Sequence, residues 1–266
     1  MSRIAVVIAL FGCLAAPLFA GPMKAEFDFA DRVAQLKSHF RPYNHEGQQA
    51  IYFEPTGVRF WLGTPMKKPK QVGLYTPIKL VGDFEITVRY EWLGDAEPTT
   101  GYGVSCGIAI GHQGKIIQVV RGNKVKKGNF YWVTEGIPKP NGPPEFKDRE
   151  ERHTRAKSGR LALRREKNTI LCLVADGDET LEEVDRITKF TTDSIHEVRF
   201  IADPGESPTV VDARLKEIRF RAEDILSDVP LRERQSSLGW WLSAAGVVVV
   251  IGLSVLLFKR YRNRES

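Results

Sequence analysis

Residues 82–93 read GDFEITVRYEWL, and their spacing decides the fold class. Phe84, Ile86, Val88, Tyr90 and Trp92 fall on one side of an extended chain, while Asp83, Glu85, Thr87, Arg89 and Glu91 fall on the other. Side chains of a strand alternate with period two, so this segment has one face for a core and one for water or polar neighbours. Tyr90 and Trp92, in phase with the core face, are read as structural.

The same alternation recurs on both sides of this strand. GVRFWLG alternates Val58, Phe60 and Leu62, and GVSCGIAIG alternates Val104, Cys106, Ile108 and Ile110. GKIIQVV, NFYWVTE, GRLALRR, TILCLVAD, IHEVRFIAD and TVVDARLKEIRF follow, punctuated by short Gly, Pro, Asn and Asp turns as antiparallel sheets require. Helical signal is confined to a short stretch at 29–40, and residues 137–155, with Pro138, Pro140, Pro143 and Pro144, read as a long surface loop. So many strands in one unit predict an all-β, two-sheet antiparallel sandwich of jelly-roll-like, concanavalin A-like form.

The two ends set an expected topology. Residues 1–20 carry Arg3, an apolar run and small residues up to Ala20, the order of a secretory signal peptide. Residues 10–13, LFGC, also approach a lipid-attachment motif, which Phe11 fits poorly. Residues 238–258, LGWWLSAAGVVVVIGLSVLLF, contain no charge and match the roughly 20 residues needed to cross a bilayer core as one transmembrane helix. Trp240 and Trp241 open the span where indoles favour the interface, and Lys259, Arg260, Arg262 and Arg264 follow it. The positive-inside rule then puts the basic tail, 259–266, in the cytoplasm and the preceding domain outside. The expected division is a signal peptide at 1–20, a sandwich at 21–222, a juxtamembrane linker at 223–237, the helix and the tail. A sorting or glycolipid signal fits less well, since 228–233 (DVPLRE) holds no sorting motif and the chain ends in charge.

This division also accounts for the net charge of +6. Arg3, the four tail bases and Glu265 lie outside the exported part, leaving 34 bases against 32 acids there. So balanced a domain gives no ground for nucleic-acid binding.

GVRFWL, VGLYTPIKLVGDFEITVRYEWL, GYGVSCGIAI, SGRLALRREKNTILCLVADG and VVDARLKEIRFRAEDIL, taken in order, resemble an uncharacterised domain family of secreted bacterial proteins related to laminin-G and concanavalin A-like sandwiches. The resemblance covers nearly the whole exported part and implies a jelly-roll-like sandwich. It implies no activity; related sandwiches bind glycans or proteins, and some cleave sugars.

Motifs for chemistry are sparse. The acidic stretch 175–185, ADGDETLEEVD, lacks the alternate carboxylates of a sandwich glucanase strand, and Asp176-Gly177 reads as a hairpin turn. Glu182, Glu183 and Asp185 do not share one face. Asp176, Asp178 and Glu179 offer a weak calcium option, short of the roughly six to eight oxygens such a cage takes; no other cofactor is expected. His39, His45, His112, His153 and His196 sit in no metal motif, and Ser105 lies in a strand rather than a nucleophile elbow. Cys106 and Cys172, each in phase with apolar neighbours, are read as free core thiols, with a disulfide as the alternative.

Aromatic side chains are the better binding equipment. Trp61 points opposite to Val58, Phe60 and Leu62, and Tyr131 and Trp132 point to opposite faces, so at least one of that pair is off the core. Exposed rings stack on sugars or anchor a protein partner, and rings packed under loops are the alternative. The sequence therefore reads as a membrane-anchored, extracytoplasmic, single-pass protein. Its expected role is a non-catalytic binding module for carbohydrate or an envelope protein, with no catalytic residue assigned. A carbohydrate-active hydrolase and a structural envelope component are the alternatives.

Overall fold

The computed structural model describes residues 22–29, 38–43, 50–63, 71–94, 96–142 and 144–228. The signal peptide, the span at 238–258, the basic tail and the body of the helix expected at 29–40 lie outside them. Among the described residues no helix is long and apolar enough to cross a membrane.

Two antiparallel sheets pack face to face. In the first, β13 (Glu182–Ile187), β12 (Thr169–Asp176), β11 (Ser158–Glu166), β6 (Lys79–Trp92), β15 (Val211–Leu226), β4 (Gly57–Leu62) and β3 (Ile51–Glu54) lie in that order. β15 is long enough to hold β4 against Val211–Leu215 and β1 (Met23–Asp28) against 217–222 along one edge. β6 runs along its other edge from Trp92 to Lys79. The second sheet has the order β10 (Glu145–His153), β9 (Gly128–Ile137), β8 (Lys115–Lys124), β7 (Val104–His112), β14 (Glu197–Asp203), β5 (Val72–Thr76) and β2 (Arg41–Tyr43).

The alternation read in 82–93 is the alternation found: Phe84, Ile86, Val88, Tyr90 and Trp92 are buried in the seam between the sheets. Val58, Phe60 and Leu62 from β4 join them, as do Cys106, Ile108 and Ile110 from β7 and Val198 and Phe200 from β14. Strand β15 continues to Leu226, four residues beyond the boundary expected at 222.

One expectation fails. Residues 145–153, inside the segment read as a loop, form strand β10 on β9, with His153 opposite Phe130 and Glu145 opposite Ile137. The sequence EFKDREERH has no apolar alternation because β10 is an edge strand with no core face; its side chains are almost all exposed. Charge on an edge also blocks further pairing. Arg149 and Arg152 instead reach the edge of the other sheet, to Asp185 at 2.5 Å and Glu182 at 2.7 Å, and so stitch one side of the sandwich shut.

Polar groups inside the seam are few and mostly paired, although Asn123 Oδ1 is buried without a partner. The hydroxyls of Tyr90 on β6 and Tyr131 on β9 meet at 2.6 Å, and Tyr131 donates to Asp176 Oδ1 at 2.7 Å, which also accepts from Thr154 at 2.8 Å. Burial pushes the Tyr131 phenol up to about 12 and that of Tyr90 higher still. Two arginines are as deeply buried. Arg165 is 1% exposed, donates to the carbonyls of Gly82 and Asp193 and lies over the Phe84 ring at 4.9 Å. Arg121, also 1% exposed, reaches Ala156 O and Asn129 Oδ1 and lies over Trp92 at 5.5 Å. Each guanidinium ties strand ends to a loop through backbone carbonyls.

Cys106 and Cys172 are free and buried on different sheets. Burial pushes the Cys106 thiol up to about 12 and raises that of Cys172 as well. Neither presents a thiolate near neutral pH, so iodoacetamide at pH 8 should leave both unmodified in the native chain and label both in denaturant without reductant.

Gly159 lies under the tyrosine pair; a Cβ there would meet Ala175 O and both phenol oxygens, the latter at 2.9 Å. Gly159→Ala should therefore lower unfolding free energy by about 2 kcal/mol, the scale of overpacking in a tight core, as read by urea denaturation. Arg165→Met should cost at least as much, because it leaves the Gly82 and Asp193 carbonyls without their donor at roughly 1–3 kcal/mol each.

Candidate functional site

Of the three rings singled out in the sequence, one is available. Trp61 is 42% exposed on the outer face of the first sheet, opposite Asp212 of β15. Its ring lies against Gly63, where a Cβ would come within 2.6 Å of the indole, so the glycine leaves room for the ring to lie flat along the chain. Beside it runs a ladder of ion pairs. Arg59 grips Asp212 through two bonds of 2.8 and 2.7 Å and reaches Glu54 at 3.5 Å. Arg214 bridges Glu54 at 2.8 Å and Glu91 at 2.6 Å. The Asp212 bond holds Arg59 well above its ordinary value, and Glu54 and Glu91 outweigh the burial that would lower Arg214. Glu54, Glu91 and Asp212 beside Trp61 are thus each engaged by a guanidinium.

Tyr131 and Trp132 do not offer rings to a partner. Tyr131 is fully buried in the inter-sheet core, because the β9 residues in phase with Val133 face inward. Trp132 does lie off that core, as the alternation required, yet it is only 5% exposed. It packs with Val120, Phe130 and Ile201 on the outer face of the second sheet, under the Lys124 ammonium at 4.9 Å. Lys124 is held there by Asp148 at 2.6 Å and Glu151 at 2.5 Å, whose bonds outweigh the burial that would lower its pKa.

Sequence reasoning missed a second exposed ring, Tyr102, 58% exposed in the loop before β7. Its hydroxyl approaches Asp203 at 3.3 and 3.4 Å. Asp203 also accepts from Gln71 Nε2 at 3.1 Å and the Gly205 amide at 2.8 Å. Burial raises the Asp203 carboxyl against these bonds, and Glu206 adds to the rise. Nothing in the sequence Gly101-Tyr102-Gly103 marks this ring out; the carboxylate it meets comes from a strand 101 residues away.

The acidic stretch is distributed among other partners. Residues 177–181 turn the chain between β12 and β13, as expected. Asp178 pairs with Arg89 at 2.7 Å, Glu183 with Arg186 at 2.8 Å and Asp185 with Arg149. Among the described residues no three His, Cys, Asp or Glu side chains gather as metal ligands. Ser105 sits within β7, without an elbow.

Residues 26–237 match the model of a family described as protein of unknown function (DUF1583) C domain. No curated protein matches the chain. Solved structures share the sandwich at low identity. The GH43 BlXynB protein from Bacillus licheniformis aligns at 14% identity and TM-score 0.56 over 74% of this chain and 39% of its own. The chain thus spans about two fifths of that protein's length. A protein from work on endo-acting O-glycanases of the human gut microbiota aligns at 12% and 0.52 over 70% of this chain and 92% of its own. The CBM2 module of the evolved Dit of Lactobacillus casei BL23 phage J-1 aligns at 8% and 0.50, over 79% and 100%.

Proposed function

The chain belongs to the DUF1583 C-domain family, and from that premise we propose that it is a non-catalytic carbohydrate-binding module, anchored to a membrane and displayed outside the cytoplasm. The observation that carries this reading is the Trp61 platform, an exposed indole beside Glu54, Glu91 and Asp212, each of which is paired with an arginine. A planar ring offers its face to the C–H surface of a pyranose, and the surrounding polar groups match hydroxyls. The fold shared with a carbohydrate-binding module and with glycan-degrading proteins is compatible with it.

The path of the chain supports the anchoring. Strand β1 starts at Met23 opposite Ala222, and β15 ends at Leu226 opposite Lys79, so both ends of the domain leave at one end of the sandwich. Trp61 and Tyr102 lie toward the other end, near Val211 and Asp203. A domain held by 238–258 would present both rings away from the bilayer. An envelope protein is the second kind of ligand compatible with such a ring. A hydrolase reading finds its best footing at Asp203, a carboxyl raised by burial beside Glu206.

The test is a glycan array followed by calorimetry on the full chain in nanodiscs. Trp61→Ala should weaken binding about tenfold, the scale of one lost ring stack, with melting unchanged. Trp132→Ala should lower the melting temperature and spare affinity. Release of reducing ends from the bound glycan, lost in Glu206→Gln, would replace the binding module with a hydrolase.

A further inference from the structure

We propose that Tyr102, Asp203 and Gln71 form a second site, separate from Trp61, that takes the ammonium group of an amino sugar. The outer-face carboxylates described above have cationic partners: Asp212 has Arg59, and Asp148 and Glu151 share Lys124. Asp203 differs. Its three donors, Gln71 Nε2, Tyr102 Oη and Gly205 N, are neutral, and no Lys, Arg or His among the described residues lies within ion-pair distance. Three donors over the roughly four lone-pair positions of a carboxylate leave one for an incoming N–H.

A partly buried anion without a counter-charge is costly, and a ligand that brings the charge relieves that cost. The adjacent ring fits the same ligand. Tyr102 is 58% exposed while its hydroxyl is turned to Asp203, so its face is open beside the carboxylate. An aromatic face attracts a cation, and it also packs on the C–H face of the pyranose that carries it. A neutral sugar would use the ring and leave the charge uncompensated.

The loops hold this geometry before any ligand arrives. Tyr102 N donates to Gly205 O at 3.0 Å, and Ser207 N to Pro204 O at 2.8 Å. A Cβ on Gly101 or Gly205 would run into the facing loop's backbone, so the two turns are in direct contact.

The site lies on the second sheet and Trp61 on the first, so the two proposals fail separately. The full chain in nanodiscs is titrated by calorimetry with the fully deacetylated glucosamine trimer, with its N-acetylated counterpart, which lacks the charge, and with trilysine. The deacetylated trimer should bind at least tenfold more tightly than the N-acetylated one and lose affinity as salt rises. Asp203→Asn and Tyr102→Ala should each weaken it about tenfold, and Trp61→Ala should leave it unchanged. Equal binding of both trimers, absence of binding, or indifference to Asp203→Asn overturns the proposal. Trilysine binding as tightly as the trimer replaces the amino sugar with a basic peptide. Residues 67, 68 and 70, just before Gln71, are lysines. Should the trimer bind only when all three are changed to Gln, the site's cation is the chain's own and the proposal falls.

Discussion

The structure depends on the dry seam between two sheets, where every second residue of the central strands is removed from water. Burial of apolar surface at about 25 cal/mol per Å² is the driving term for such a sandwich. Burying a polar group there costs free energy unless the group is paired. The tyrosine pair, with Asp176 behind it, supplies one such pairing, and the two carbonyl-clamped arginines supply two more. Because these groups are satisfied in one register of β6 against β11 and of β8 against β9, they favour that register over slipped ones.

With the seam filled by alternate residues, the other residues of each strand are left to the outer faces. On the first sheet many of these are charged and arranged in ladders across strands: Glu54, Arg59, Asp212, Arg214 and Glu91 form one, and Arg164 with Glu85 another. Exposed ion pairs add little stability individually. Their effect here is on what the surface offers: Glu54, Glu91 and Asp212 are paired with Arg59 and Arg214 beside Trp61, while Ala162, Leu171 and Leu173 form a separate small apolar cluster on that face.

The two candidate sites differ in how they arise. Trp61 was legible because one strand contains both the ring and the three buried residues it opposes. Tyr131 and Trp132 were ambiguous by the same logic, since adjacent residues on a strand go to opposite faces and each face was rich enough to bury a ring. Strand β10 was invisible because an edge strand between water and a charged neighbouring edge needs no apolar face at all. The Tyr102 site was invisible for a third reason. Gln71, Tyr102 and Asp203 lie on three segments that meet only once β5, β7 and β14 are adjacent.

Local pattern alone therefore determined the fold class, most strands and the identity of the core face, while the free state of the two thiols was decided by their placement on different sheets. The first three follow from the period-two rule and from hydrophobic burial, which act within each strand. Which outward rings remain in contact with water, which carboxylates meet a guanidinium and which do not, and where the chain ends leave relative to the exposed rings were decided by strand order and sheet packing. Those are long-range contacts, between residues 160 apart for Arg214 and Glu54. No period within one segment encodes them.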